Sequence, residues 1–337
     1  MYYNLDRKLE LKPGTISYLL SLEDEARYTM VTRKRKRGLL RRKRTEDRSR
    51  EILIPSKDLK AFQKCVHNVL STRFRPSRIA HAYVEGRSII TNALQHLNAS
   101  EILKVDFENY FGQLDIINVI SGLKYYLPEF NIQDIRVIAD LCCFRGSLPH
   151  GSPASPILSN MICEIFDDEL EKLVKSFDCV VTRFSDDITI SAKSGRLPSD
   201  LVIVDRFNRQ VPVELGPSLQ SFIEEDHGFK INLAKLRFQA RPGKLTATGL
   251  LLTDRVDVPK EYRRNLKAVL HQWRTHGLEF AAGRRPLKNF VRALNGNIAF
   301  LGQVRGLGDK LYRDLSASFE DLLDRDGHKV LGWRNCN

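Results

Sequence analysis

The sequence predicts an α+β fold in which an antiparallel sheet, interspersed with helices, is followed by a helical C-terminal third. Two runs of apolar and β-branched residues flank the polar stretch Phe184-Ser185-Asp186-Asp187, which is typical of a β-hairpin. A further strand pattern ends at Asp106, and from Pro259 onward apolar residues recur at helical spacing. With 337 residues, the chain is long enough for two domains and a large core.

The predicted hairpin carries two adjacent carboxylates, Asp186 and Asp187, at its turn. Residues 179–182 lead into this turn and residues 188–191 lead out of it. Side chains alternate along strands, so neighbouring aspartates share one site only at a tight bend. Two carboxylates held together repel each other, and a divalent cation relieves that repulsion. An ordinary Asp-Asp surface turn is the alternative interpretation.

Asp106 supplies a third carboxylate. Residues 101–106 have the pattern of a strand that ends in Asp106, 80 residues before Asp186, so this strand could lie beside the hairpin in one sheet. One aspartate from this strand and two from the hairpin would form a site for two Mg²⁺ ions. In such a site one ion activates an attacking hydroxyl and the other stabilises a leaving pyrophosphate.

A loop rich in Gly, Ser and Pro lies between these two segments. It spans residues 148–156 and precedes a predicted helix whose apolar stripe runs through Leu158, Ile162, Phe166, Leu170, Val174 and Phe177. The Asp106 strand, the Pro-His-Gly-Ser-Pro loop with its helix, Phe-Ser-Asp-Asp and residues 231–235 follow one another within residues 101–250. This order and spacing resemble the palm motifs of reverse transcriptases.

Within that family the chain looks most like a bacterial retron reverse transcriptase. Residues 92–96 fit the Asn-Ala-x-x-His element of retron enzymes, and residues 86–89 resemble the Gly-Arg-Ser-Ile segment before it. Residues 247–249, Ala-Thr-Gly, match the Val-Thr-Gly marker at two of three positions. Two features depart from the common pattern. Phe184 and Ser185 replace Tyr-Ala before the aspartates, and His150 stands where Gln is usual.

The resemblance implies an α+β right-hand polymerase with an antiparallel-sheet palm, fingers and a helical C-terminal thumb. Fingers and palm are expected to interleave over residues 1–255, with residues 28–32 and 50–55 as the strands of a fingers hairpin. The thumb is expected over residues 256–337, which leaves no room for an RNase H or endonuclease domain.

The resemblance also implies roles for individual residues. The expected catalytic carboxylates are Asp106, Asp186 and Asp187, and with Phe107 they form the expected set for two Mg²⁺ ions, or Mn²⁺ as a substitute. The expected nucleotide-binding residues are Arg48, Arg50, Phe111, His150, Gly151 and Lys235. Among them, Arg48 and Arg50 are candidates to contact the incoming triphosphate. Phe111 would exclude a 2′-hydroxyl, and Lys235 would act on the pyrophosphate leaving group. A core phenylalanine and a surface lysine are the alternative interpretations of these last two residues.

The chain is basic, and its positive charge is concentrated in two clusters. It has 54 Lys and Arg against 41 Asp and Glu. Residues 33–50 and residues 260–310 each contain eleven Lys or Arg, with two and three acidic residues respectively. Such clusters favour nucleic-acid binding that depends strongly on salt. The expected nucleic-acid contacts are Arg41, Arg42, Lys43, Arg44, Asn92, His96, Arg263, Arg264 and Lys267. A solvated loop and an ordinary amphipathic helical bundle are the alternative interpretations of the two clusters.

The expected reaction is RNA-templated addition of deoxynucleotides to a primer hydroxyl. By resemblance to retrons, the template would be a cognate structured non-coding RNA, primed from an internal 2′-hydroxyl to give branched RNA–DNA. The family's role implies antiphage defence with a separate effector protein. The nearest alternative is another bacterial defence-associated or group II-like reverse transcriptase without a branched product. A non-catalytic RNA-binding scaffold is an alternative of another class, and the intact set of three aspartates argues against it.

The cysteine pattern bears on the compartment. The six cysteines form no Cys-x-x-Cys pair and are interpreted as free thiols in a reducing environment. No apolar run approaches membrane-spanning length, and the N-terminus lacks a signal-peptide pattern. We therefore expect a cytoplasmic protein without a membrane partner.

Overall fold

The computed structural model describes residues 2–34, 49–206 and 212–330 of the chain. These residues form two compact units, one built from residues 2–34, 49–206 and 212–248 and the other from residues 249–330. The antiparallel sheets and numerous helices confirm the predicted α+β class. None of the helices in the described ranges is long and apolar enough to cross a membrane.

The first unit combines short helices with short strands. Its helices are α1 (Tyr3–Lys8), α2 (Thr15–Leu20), α3 (Asp24–Arg27), α4 (Lys57–Ser71), α5 (Ile89–Gln95), α6 (Tyr110–Gln113), α7 (Ile116–Tyr126), α8 (Ile132–Cys142), α9 (Ser155–Ile162), α10 (Glu164–Ser176) and α11 (Pro217–Gln220). Its strands are β1 (Tyr28–Lys34), β2 (Ser49–Pro55), β3 (Glu101–Asp106), β4 (Cys179–Phe184), β5 (Asp187–Ala192), β6 (Val202–Ile203), β7 (Glu214–Leu215), β8 (Arg237–Ala240) and β9 (Leu245–Ala247). A π-helical turn spans Ser221–Asp226, and a 3₁₀ turn spans Leu233–Lys235.

The centre of this unit is a four-stranded antiparallel sheet in the order β4-β5-β3-β8. Its strands are rich in Val, Ile and Thr, whose branched side chains suit a pleated surface. Leu103, Val105, Ile188 and Ile190 alternate onto one face and are fully buried in the core. The predicted strand over residues 101–106 and the predicted hairpin over residues 179–191 are both confirmed.

The helix predicted after the Pro-rich loop is in fact two helices, α9 and α10, which meet at Cys163. Cys163 leaves the helical dihedrals, with φ −81° and ψ 5°, although Asp167 N still donates to its carbonyl at 2.8 Å. Leu158 and Phe166 are buried on either side of the junction, so the predicted apolar stripe is kept. The sequence pattern missed the junction because no proline or glycine marks it.

β1 and β2 form the predicted fingers hairpin. They pair antiparallel from Tyr28 opposite Pro55 to Lys34 opposite Ser49. The backbone of β2 also contacts the Pro-His-Gly-Ser-Pro loop, because Leu53 N donates to the carbonyl of His150 at 2.8 Å. Several predicted contact residues of this region lie outside the described residues, namely Arg41, Arg42, Lys43, Arg44 and Arg48.

The second unit is mainly helical. It contains the hairpin β10 (Leu250–Leu252) and β11 (Val256–Asp257), then α12 (Lys260–His276), α13 (Leu278–Ala282), α14 (Leu287–Arg305), α15 (Lys310–Asp326) and a 3₁₀ turn at Gly327–Val330. Its core packs the ring of Trp273 against Phe290 and Phe319, and Trp273 Nε1 donates to Asp326 Oδ2 at 2.7 Å. The helical pattern predicted from Pro259 onward is confirmed by α12, α14 and α15.

Candidate active site

The sheet brings Asp106, Asp186 and Asp187 together at one end. β3 pairs with β5 so that Asp106 and Asp187 are direct cross-strand partners. Directly opposite side chains on an antiparallel pair have Cβ atoms about 5 Å apart. The β4–β5 hairpin closes at the pair Phe184–Asp187, which leaves Ser185 and Asp186 in the turn. Phe107 N donates to the carbonyl of Asp186 at 3.0 Å and ties this turn to the end of β3.

The carboxylate of Asp187 is strongly affected by its surroundings. Burial raises its pKa to about 6; the positive charges of Lys104 and Lys235 oppose this shift, and the charges of Asp106 and Asp186 add to it. Lys104 lies two residues before Asp106 on the same face of β3, and its Nζ donates to Thr246 Oγ1 at 2.9 Å. Three carboxylates are thus held where their mutual repulsion favours a nearby cation.

Lys235 provides one such cation next to Asp106. The backbone before it is anchored to β3, since Asn232 N donates to the carbonyl of Asp106 at 2.8 Å. The 3₁₀ turn Leu233–Lys235 then carries the lysine ammonium to the Asp106 carboxylate, with which it forms an ion pair. The lysine side chain is 38% exposed and that of Asp106 16% exposed, so the pair is accessible to solvent.

A second ion pair lies beneath the turn and was not predicted from the sequence. Arg183, the residue before Phe184, is completely buried and binds both oxygens of the buried Asp167 at 2.6 Å. Its remaining N–H groups donate to Tyr110 Oη, to Asn160 Oδ1 and to the carbonyl of Ser185 at 3.1–3.2 Å. Burial opposes the charged form of Arg183, but the adjacent Asp167 keeps the arginine pKa above its ordinary range. Arg183 therefore holds the backbone of the carboxylate turn from below.

Phe111 and His150, both predicted to bind the nucleotide, lie against each other. Their rings meet edge to face with centroids 4.9 Å apart. Phe111 is 8% exposed, whereas His150 is at the surface. Beside them a groove of about 280 Å³ lies between β2 and the loop, lined by Met30, Leu53, Asn109, Phe144, Pro149 and His150, among others. The fold thus places these two predicted residues together beside the fingers hairpin.

Gly151 is required by packing against β2. Its φ is +120°, and a Cβ at this position would lie 2.4 Å from the carbonyl oxygen of Leu53. A side chain there would force the loop and the hairpin apart. The close backbone approach expected at this glycine therefore occurs within the protein, and a contact with the nucleotide stays a prediction.

The prediction that Asn92 and His96 bind nucleic acid is wrong, because both side chains are buried within the protein. Asn92 Nδ2 donates to Thr182 Oγ1 at 2.8 Å. The two ring nitrogens of His96 lie 2.7 Å from the hydroxyls of Ser191 and Thr182. Their exposed fractions are 0% and 1%. Burial lowers the pKa of His96 to about 3, and this neutral imidazole fixes α5 onto β4 and β5.

The Ala-Thr-Gly marker contacts the Gly-Arg-Ser-Ile segment that precedes the Asn-Ala-x-x-His element. Thr248 Oγ1, from the Ala-Thr-Gly segment, donates to the carbonyl of Ile89 at 2.8 Å. Ile89 is the first residue of α5, the helix that carries Asn92. The two segments are 159 residues apart in sequence at this contact and form one structural feature.

The predicted contacts in the second unit differ in their availability. Arg264 and Lys267 are exposed on α12. Arg263 is only 25% exposed and lies 3.1 Å from the carboxylate of Asp257. Asp257 also accepts from Arg305, so Arg263 belongs to an internal charge network. Its positive charge is partly neutralised, which makes it the weakest of the three candidates for a phosphate contact.

Comparison with known proteins identifies the class. A family model described as reverse transcriptase (RNA-dependent DNA polymerase) matches residues 35–252. The chain therefore belongs to the reverse transcriptase family, and its α+β architecture is that of a right-hand polymerase. It is an RNA-directed DNA polymerase by family.

Within this family the chain is of the retron type. It is 29% identical to the Retron Ec86 reverse transcriptase of Escherichia coli, over 80% of this chain and 77% of that enzyme. It is 28% identical to the Retron Mx162 reverse transcriptase of Myxococcus xanthus, over 66% of this chain and 49% of that enzyme. Among solved structures, a telomerase from Candida albicans aligns with 83% of this chain and 62% of its own, at a TM-score of 0.44 and 10% identity. That likeness is too remote to add to the assignment.

The family implies divalent metal ions, and the donor chemistry of the carboxylate cluster fits them. Asp106, Asp186 and Asp187 offer the oxygen ligands that Mg²⁺ prefers, and burial, together with the negative charges of Asp106 and Asp186, raises the pKa of Asp187. As they stand, the His, Cys, Asp and Glu side chains of the described residues contain no group of three or more that could hold a metal ion. The ammonium of Lys235 pairs with Asp106, so metal binding at this carboxylate requires Lys235 to share or release it.

Proposed function

We propose that this protein is a retron reverse transcriptase that copies a cognate structured non-coding RNA, starting from an internal 2′-hydroxyl of that RNA. The product is branched RNA–DNA, and the biological role is antiphage defence with a separate effector protein. The observation that carries the proposal is the pairing of Asp106 with Asp187 beside the turn that holds Asp186, in a chain of the retron type.

The three aspartates are the proposed catalytic residues and the proposed ligands of two Mg²⁺ ions, or of Mn²⁺ in their place. When bound, these ions supply the positive charge that activates the primer hydroxyl and stabilises the leaving pyrophosphate. Phe107 has a buried hydrocarbon side chain, so its backbone carbonyl is the group it can contribute. Lys235 is assigned to the leaving pyrophosphate, because its ammonium already lies at Asp106 and is partly exposed.

The proposed nucleotide site lies between the carboxylates and the fingers hairpin. Phe111 presents a rigid ring five residues after Asp106, braced by His150, where it can exclude a 2′-hydroxyl. Arg50 lies in the returning strand β2, and with Arg48 it is assigned to the triphosphate. Gly151 keeps the loop close to β2 and so sets the width of the groove.

The proposed nucleic-acid contacts follow the charge. We assign residues 1–255 to interleaved fingers and palm and residues 256–337 to the thumb, whose Arg264 and Lys267 contact phosphates of the template–primer duplex. Arg41, Arg42, Lys43 and Arg44 are assigned to the cognate RNA. A cytoplasmic location is part of the proposal, supported by the five cysteines of the described residues, which are free thiols.

The test is to express the gene with its flanking DNA, purify the protein and characterise the nucleic acid bound to it. We expect a DNA linked to RNA through a 2′–5′ branch, whose mobility changes when a debranching enzyme acts on it. The variant Asp187→Asn should yield the RNA without DNA. The matched control, Asp178→Asn, changes an exposed aspartate at the opposite end of β4 and should yield the wild-type product.

Other outcomes decide between the alternatives. Linear DNA without a branch would overturn the retron proposal in favour of another bacterial reverse transcriptase. RNA without any DNA from the wild-type protein, together with no extension of a primed template, would indicate a non-catalytic scaffold.

A further inference from the structure

Tyr83 has an unusual conformation at the edge of the candidate active site. Its φ is +61°, a left-handed backbone conformation that is unfavourable for a bulky aromatic residue. The side chain is nevertheless 51% exposed, so burial of the ring does not compensate for the strain. Its hydroxyl lies 3.2 Å from Oγ of Ser185, the residue that shares the hairpin turn with Asp186. Strained, exposed side chains of this kind concentrate at functional sites.

The segment that carries Tyr83 is fixed by the surrounding structure. Ile79 and His81 form backbone hydrogen bonds with Arg183 in β4, at 2.7 and 2.8 Å. Asn160 Nδ2 then donates to the carbonyl of Ala82 at 2.9 Å. Because the residues just before Tyr83 are hydrogen-bonded to β4 and to α9, the position of Tyr83 beside the carboxylate turn is fixed.

Tyr83 and Phe111 reach the aspartates from different strands of the sheet. The segment before Tyr83 runs along β4, the outer strand of the order β4-β5-β3-β8. Phe111 follows β3, beyond Asp106, and its ring packs against His150, which lines the proposed nucleotide groove. The reacting phosphate lies between the incoming nucleotide and the strand being extended. Tyr83 contacts the carboxylate turn but is not among the residues that line the groove, so its exposed ring is available to the growing strand.

We propose that Tyr83 is a binding residue for the 3′-terminal nucleotide of the strand being extended. Its exposed ring stacks on the terminal base or sugar. The hydrogen bond between its hydroxyl and Ser185 holds the ring next to the carboxylates. Aromatic stacking suits this role because it tolerates every base. The inference rests on the proposed polymerase function and adds a subsite for the end of the primer.

The test uses Tyr83→Asn, because asparagine tolerates a left-handed backbone but has no ring. Binding of a primed RNA template is measured by fluorescence anisotropy without nucleotides, beside the same RNA unprimed. We expect affinity for the primed template to fall by about fivefold or more, and affinity for the unprimed RNA to change by less than about twofold. The KM for the incoming nucleotide should stay within about twofold. The melting temperature should be unchanged or higher, because the strain is relieved.

Two further variants are controls. Tyr83→Phe keeps the ring and should retain most of the affinity for the primed template. Tyr18→Asn removes a ring of almost equal exposure, 52%, from α2 and should leave both affinities unchanged. Wild-type affinity of Tyr83→Asn for the primed template would overturn the inference, and so would equal losses on primed and unprimed RNA. Since binding is measured without catalysis, failure of the polymerase proposal would appear separately, as absence of extension by the wild-type protein.

Discussion

Two ion pairs hold the carboxylate end of the sheet, one from beneath and one from the open side, and they differ in burial. The side chains of Arg183 and Asp167 are both 0% exposed, and the guanidinium of Arg183 also donates three hydrogen bonds to uncharged acceptors. Lys235 and Asp106 are 38% and 16% exposed. Breaking a buried pair leaves a charge without water or partner, whereas an exposed pair separates at small cost. The buried Arg183–Asp167 pair can therefore fix the backbone of the carboxylate turn. In the exposed Lys235–Asp106 pair, a metal ion can replace the lysine ammonium at the carboxylate.

The largest expected effect concerns the three aspartates at the end of the sheet. Asp186→Asn should lower polymerisation by at least about 10³-fold, about 4 kcal/mol of barrier, because it removes a charge from the proposed metal site. Folding should survive, since one source of carboxylate repulsion is removed. Primer extension and thermal unfolding measure the two quantities. A rate of primer extension within about tenfold of the wild-type rate would show that Asp186 is not a catalytic residue.

The second prediction concerns the buried pair. Arg183→Met should lower the free energy of unfolding by about 3–5 kcal/mol, because Asp167 is left buried without its partner. Urea unfolding measures this loss. The double variant Arg183→Met, Asp167→Leu should recover most of the stability, since both charges are then absent.

A control for the second prediction lies on the same sheet. Arg206 binds both oxygens of Glu101 in β3, but its side chain is 24% exposed. Arg206→Met should therefore cost clearly less than Arg183→Met. Equal losses from the two substitutions would show that burial beneath the turn confers no special role on Arg183.

The third prediction concerns Phe111, the residue proposed to exclude a 2′-hydroxyl from the nucleotide site. Phe111→Ala should lower the preference for deoxynucleotides over ribonucleotides by about tenfold or more, because the ring that a 2′-hydroxyl would strike is removed. Phe130→Ala is the matched control, since Phe130 is also 8% exposed in the same core. Both should lose stability, whereas sugar preference should change in the Phe111 variant alone. An unchanged preference in an active Phe111 variant would make this residue part of the core only.

The fourth prediction concerns pH and the buried His96. Its pKa is about 3 in the folded protein, below the ordinary value near 6.5, so the unfolded chain binds a proton that the folded protein does not. The neutral imidazole therefore contributes fully above pH 6.5, and stability falls as the pH decreases toward 3, by up to about 1.4 kcal/mol per pH unit. In unfolding measurements from pH 7 to 5, His96→Asn should have a shallower slope. His81, with a pKa of about 4, leaves part of the slope in place. Identical slopes of stability against pH in the wild type and the variant would contradict the assignment of a neutral, buried imidazole to His96.

The smallest expected effect sharpens the comparison of the two pairs. Lys235→Met should change the free energy of unfolding by about 0–1 kcal/mol, because its pair with Asp106 is open to solvent. The measurement is the same urea titration used for Arg183→Met. A loss as large as that of the buried pair would show that Lys235 is structural and would remove the basis for an exchangeable cation.

The sequence predicted the carboxylate end of the sheet because strand patterns depend on local order. The alternation in β3, β4 and β5 indicated the strands and put each aspartate at a strand end, and the pairing of β3 with β5 confirms that Asp106 lies beside the hairpin. The long apolar stripes of α12 and α14 were found for the same reason.

The errors and omissions came from contacts between distant residues. Asn92 and His96 share a helix face, but their spacing could not show that this face packs on β4 and β5. A lone arginine in the apolar run of β4 was a signal for a buried charge at Arg183. Its partner on α10 was not readable, because the sequence does not say which acidic residue of a helix points inward.

The contacts that complete the carboxylate site also have a consequence for translation. Lys235 pairs with Asp106 across 129 residues, and β8 must emerge from the ribosome before it can pair with β3. Translation proceeds at about 5–20 residues per second, so the synthesis of Lys235 follows that of Asp106 by on the order of ten seconds. During that interval the nascent chain can close the fingers hairpin, while β3 keeps one edge unpaired. Chains that end before β8 therefore carry an open strand edge on β3.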